Sequence, residues 1–204
     1  MIASVAALFT AIAFGVAGWL GSGLGVALCR DIVAHDDGPR PVAFPAWPFP
    51  VAGAAVGLAA QLHGASATHL AMLFVVVAAL AACAASDLRC GMIPDVCSLG
   101  ALALVLGFAA FERNWGSLLG AGVVFVPFAG AALVSRGRGM GWGDVKIACL
   151  GGALLGGPDA TLAFILASLA AYIIARRSGE RRPIAFGPYL TGSIFLALTL
   201  ERSV

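Results

Sequence analysis

The sequence predicts an all-α fold: a polytopic bundle of about eight transmembrane helices with both termini on the non-cytoplasmic side. Three observations carry that expectation. Hydrophobic residues make up 61% of the 204 and charged residues only 11%, against the roughly 25% charge that covers a soluble domain. Apolar runs recur at close to the ~20 residues that cross a bilayer. The basic residues collect in alternate connections, as the positive-inside rule requires. The length fits one membrane-embedded domain over 1–204, with a short cytoplasmic loop at 30–48.

Residues 2–28 supply the first span. Residues 1–29 carry no charge, so a signal peptide's basic n-region is missing and the run exceeds an ordinary h-region. Within it, Gly21-Ser22-Gly23-Leu24-Gly25 reads as small residues for close helix packing. Arg30 to Pro48 is the one sizeable polar connection. Its His35-Asp36-Asp37-Gly38-Pro39-Arg40-Pro41 core reads as an irregular, solvated loop rather than a metal site.

From Pro41 to Ser86 there is no Asp, Glu, Lys or Arg. The polar break from Gln61 to Thr68 divides that stretch into span two, near 49–62, and span three, near 68–86. Span four follows Pro94, near 95–111, and span five covers about 116–135. Span six is short, near 145–157, and ends at Gly156-Gly157-Pro158. Spans seven (about 159–175) and eight (about 184–200) complete the count. With the N-terminus outside, the loops after spans one, three, five and seven hold every Lys and Arg except Arg113 and Arg202.

Several chemistries are not signalled. The five cysteines form no CxxC, so neither a zinc knuckle nor a redox pair is indicated, and Cys90 and Cys97 read as small buried thiols. No metal and no cofactor is expected. The net charge of +2 follows from membrane topology, and no basic patch points to nucleic acid.

Two acids stand out. An ionisable group costs roughly 2.5–3.5 kcal/mol at the centre of a spanning helix, so its retention suggests function. Asp144 lies in Gly139-Met140-Gly141-Trp142-Gly143-Asp144-Val145-Lys146, and Asp87 closes span three. Span six, at ~1.5 Å rise per residue, covers only about 20 Å of a ~30 Å hydrocarbon core. Either the bilayer thins there or the helix begins below the surface, in a water-filled recess. Gly139, Gly141 and Gly143 suit such a recess, because glycine accepts unusual dihedrals and admits a substrate backbone. The plainer reading of Asp87 is an interfacial residue neutralised by Arg89. Asp95 reads as a helix N-cap, and Lys146 either biases the titration of Asp144 or anchors its helix.

Asp87 followed by Ile93-Pro94-Asp95, then Gly141-Trp142-Gly143-Asp144-Val145-Lys146 and finally Phe186-Gly187-Pro188-Tyr189-Leu190, resembles the type IV prepilin peptidase family of GxGD aspartic proteases. The resemblance runs from about span two to the C-terminus. It implies cleavage of the short basic leader of prepilin or pseudopilin-like proteins at the cytoplasmic face of the bacterial inner membrane, alongside pilus or secretion machinery. By motif position, it makes Asp87 and Asp144 the catalytic aspartates. Gly139, Gly141, Gly143, Lys146, Gly187 and Pro188 fall to substrate binding. Longer members carry a CxxC-bearing cytoplasmic insertion and also N-methylate the new terminus. Here 30–48 is short and lacks CxxC, so methyl transfer is not expected. The rival reading is a proton- or cation-coupled transporter using Asp87 and Asp144. That class favours paired, interrupted helices in two similar halves, and the first half offers no partner for span six.

Overall fold

In a chain this apolar, every backbone N–H and C=O within the bilayer must be satisfied internally, and helices do so segment by segment. The computed structural model describes residues 2–33, 44–136, 140–178 and 185–200. Among them lie eight helices and no strand: α1 (Ile2–Val33), α2 (Pro48–Leu62), α3 (Ala67–Cys90), α4 (Asp95–Phe111), α5 (Trp115–Val134), α6 (Trp142–Leu155), α7 (Gly157–Ser178) and α8 (Gly187–Leu200). Each falls on a predicted span. Four are long and apolar enough to cross a membrane: Ala3–Arg30, Ala67–Cys90, Trp115–Val134 and Gly157–Arg177. Shorter apolar helices occupy Pro48–Leu62, Asp95–Phe111 and Gly187–Leu200. The loop residues His35, Asp36, Asp37 and Arg40 lie outside the described residues.

Local signals explain the ends. Ser66 caps α3 by accepting from the His69 N–H at 3.2 Å, and Asn114 caps α5 by accepting from the Ser117 N–H at 3.3 Å. Gly91 ends α3 in the left-handed region, at φ +66° and ψ +23°, where a residue with a Cβ is disfavoured. Between α6 and α7 stands the single residue Gly156.

Helices α3 and α6 form the centre. Every residue from Leu80 to Asp87 is buried, as are Val145, Ile147, Ala148 and Leu150 to Ala153. A helix buried on all its faces belongs to the interior of a bundle. The outer helices expose their large apolar side chains instead, among them Phe9 on α1, Val126 on α5 and Leu162 on α7. α1 packs on α2 and α3, α5 packs on α6, and α8 touches α2, α3, α6 and α7.

Small residues allow the closest approach. A Cβ at Gly21 would lie 2.1 Å from the Ala78 carbonyl oxygen, and one at Gly25 would lie 2.2 Å from that of Ala82. The predicted packing face in α1 is therefore real at these two positions, spaced as a small-xxx-small pair. Gly23, between them, has nothing within 4 Å of such a Cβ among the described residues.

Candidate active site

Asp87 is held by the last turn of α3. That helix runs to Cys90, a turn beyond the expected end at 86, and the Gly91 N–H donates to the Asp87 carbonyl at 2.8 Å. The Asp87 side chain is buried, and its Oδ2 accepts the Gly187 N–H at 2.9 Å. Gly187 opens α8, so this N–H is one that the helix leaves without a partner of its own. A carboxylate at that position also meets the positive end of the helix dipole. Pro188 follows, where its missing N–H costs nothing. Asp87 is thus tied to a backbone donor. Among the described residues it forms no ion pair with Arg89.

Asp144 is positioned by α6. The helix begins at Trp142, not at 145, so Asp144 stands within its first turn. Its Oδ2 accepts the Gly141 N–H at 3.3 Å. This is half of a capping box, since glycine at the cap has no side chain to return the bond. Ile93 packs both against Gly143, the neighbour of Asp144, and against Gly187, whose N–H bonds Asp87. Two carboxylates therefore sit at one end of the two central helices, each bonded to an N–H at a helix N-terminus. Such a pair can hold one proton between two acids and act on a water molecule.

The other candidate residues divide. Gly187 lies against the pair: a Cβ there would come 2.8 Å from Asp87 Oδ2. Gly143 is helical, and a Cβ there would come 2.8 Å from the Cβ of Ile93. Gly141 has φ −77°, and its nearest obstacle is Asp144 Oδ2 at 3.5 Å. Neither glycine adopts the unusual dihedrals expected of it; at Gly143 the reason for glycine is space. Gly139 lies outside the described residues.

Asp95 and Lys146 correct the sequence reading. The cap of α4 is Pro94, so Asp95 falls inside the helix and does not cap it. Asp95 instead forms an ion pair with Lys146, which ties α6 to α4. Ile93 was legible only as part of the family resemblance; its packing against Gly143 and Gly187 was not, because an isoleucine before Pro94 looks like any apolar loop residue. Among the described residues, no group of three or more His, Cys, Asp or Glu could hold a metal ion. All five cysteines are free thiols.

Comparison with known proteins bears on the same residues. The sequence model of the type IV leader peptidase family matches residues 74–176, a stretch containing Asp87, Asp95 and Asp144 but not Gly187. A curated protein of Escherichia coli (strain K12), "Prepilin leader peptidase/N-methyltransferase", is 33% identical over 116 residues, covering 51% of this chain and 52% of that relative. The chain thus spans about half the length of the relative it matches. No solved structure matches. With the family model covering just over half of the sequence, on a multi-pass helical scaffold, this chain belongs to the type IV leader peptidase family.

Proposed function

We propose that the chain is an aspartic endopeptidase that removes the cytoplasmic leader of type IV prepilin or pseudopilin-like proteins at the bacterial inner membrane. Asp87 and Asp144 are the catalytic pair in this reading. The observation that carries it is that Asp87 of α3 and Asp144 of α6 each accept an N–H at a helix start, with Ile93 packed against both of those helix starts.

The chemistry follows from a shared proton. The ionised member of the pair takes a proton from a bound water, and the resulting nucleophile attacks the scissile carbonyl. The protonated member polarises that carbonyl and later helps protonate the leaving amine. The two acids titrate as a unit, so the roles belong to the pair. The Gly187 N–H fixes one oxygen of Asp87, Oδ2. The single domain spans 1–204, its substrate arrives anchored in lipid by its own apolar helix, and pilus or secretion machinery takes the product.

Methyl transfer is not part of the proposal. The relative's name includes it, but the 30–48 connection here is short and has no CxxC. Transport is disfavoured by packing. A cavity of about 530 Å³ opens at the far end of the bundle, lined by His63, His69, Glu112 and Asn114 among others. Between it and the aspartates, Val76, Val77, Leu80, Ile147 and Leu150 are buried in one apolar cluster. That filling supports a site open to one side only.

The test is co-expression with a prepilin, followed by N-terminal sequencing of the product. Asp87→Asn and Asp144→Asn should each abolish cleavage while the protein still inserts, because asparagine keeps the size but cannot exchange the proton. Substantial cleavage by either variant would refute the mechanism.

A further inference from the structure

Three chain segments meet at the carboxylate pair: the end of α3 and the starts of α6 and α8. The connection Gly91-Met92-Ile93-Pro94 leads from α3 into α4 beside them. A Cβ at Gly143 would lie 2.8 Å from the Cβ of Ile93 and 2.9 Å from its Cδ1. A Cβ at Gly187 would lie 3.2 Å from the same Cδ1. One isoleucine side chain thus fills the room left by two glycines. The first adjoins Asp144 in sequence, and the second donates its N–H to Asp87.

Isoleucine suits a spacer, because branching at Cβ leaves it stiff at χ1. Pro94 fixes the backbone that follows. Next in the chain, Asp95 pairs with Lys146, two residues past Asp144, and so fastens the start of α4 to α6. The Asp95 side chain is 65% exposed and that of Lys146 is 24% exposed. An ion pair so open to solvent adds little to folding. Its consequence is geometric: it joins the start of α4, two residues past Ile93, to α6 two residues past Asp144.

We infer that Ile93 is a positioning residue that sets the separation of Asp87 and Asp144 by holding the starts of α6 and α8 apart, with the Asp95–Lys146 ion pair keeping it in place. This rests on the peptidase reading and deepens it. Ile93 performs no chemistry. It fixes the distance between two groups that must act on one water and one carbonyl, where a misplacement of about 1 Å can cost on the order of 100-fold in rate.

The experiment measures kcat and KM for the full-length protein in liposomes with a purified prepilin, alongside its thermal midpoint. Ile93→Ala should lower kcat by roughly 10- to 100-fold, with KM changed by less than about threefold. Ile93→Val should fall between wild type and Ile93→Ala. Lys146→Met should lower kcat without moving the thermal midpoint, and Lys146→Arg, which can restore the pair, should recover most of it. Wild-type kcat in Ile93→Ala, or a loss confined to KM, with the aspartate variants inactive, overturns the positioning role alone. Should Ile93→Ala not fold, wild-type kcat in both Ile93→Val and Lys146→Met overturns it. Cleavage by Asp87→Asn or Asp144→Asn brings down the peptidase reading, and this inference with it.

Discussion

A methyl group at Gly187 has nowhere to go. It would stand 2.8 Å from Asp87 Oδ2 and 3.2 Å from Asp87 Cγ, against the carboxylate that the same residue's N–H holds. Gly187→Ala must therefore push the acid aside or move the start of α8. Under the proposed role of Asp87, cleavage should fall on the order of 100-fold, while overpacking of this kind destabilises by about 1–3 kcal/mol. Gly141→Ala is the contrasting case. Among the described residues, its new methyl would meet nothing closer than 3.5 Å, at an ordinary φ of −77°. Activity should be retained, as judged by leader cleavage at matched protein levels. A well-expressed but inactive Gly141→Ala protein would instead mean that substrate occupies that space. At this scale the sequence exposed the two acids, because charge in an apolar chain is conspicuous. The segments holding Gly187 and Ile93 were legible as motifs, but not that the Gly187 N–H bonds Asp87 or that Ile93 packs against Gly143 and Gly187, because those contacts join residues far apart in the chain.

The helices were legible as lengths of apolar chain between polar breaks, but their ends moved by a few residues where capping decided. Gly91 carried α3 past Asp87, and Gly141 let α6 begin before Asp144, so both acids lie inside helices rather than beside them. That placement matters: a side chain on a helix is held more firmly than one on a loop. Packing between helices gives a test with its own control. Gly21→Val and Gly25→Val would drive side chains into the α3 backbone at Ala78 and Ala82, whereas a Cβ at Gly23 has nothing within 4 Å among the described residues. The first two should lower the thermal midpoint in detergent, and each should cost at least the 1–3 kcal/mol typical of overpacking. Gly23→Val should match wild type. Equal midpoints for all three would mean that α1 does not lie on α3 through this face.

For the whole molecule, the charge pattern predicts the orientation. Reporter fusions after Arg138 and Arg181 should read cytoplasmic, and fusions near His63 or Arg113 should read external. An external signal at Arg138 would put the aspartates on the wrong side for a leader still in the cytoplasm. The sequence by itself determined that the chain is a helical membrane bundle, roughly where each helix runs, and that Asp87 and Asp144 are its anomalous charges. Composition and hydropathy suffice for that, since a bilayer demands apolar helices of defined length. Only the tertiary structure decided that α3 and α6 are the central helices while α1, α5 and α7 turn large apolar faces outward. The reason is physical: lipid tails are as apolar as leucine, so side chains facing lipid and side chains facing the core obey the same preference. What separates them is close packing, at Gly21, Gly25, Gly143 and Gly187, and a contact between Asp87 and residue 187 that spans 100 positions of the chain.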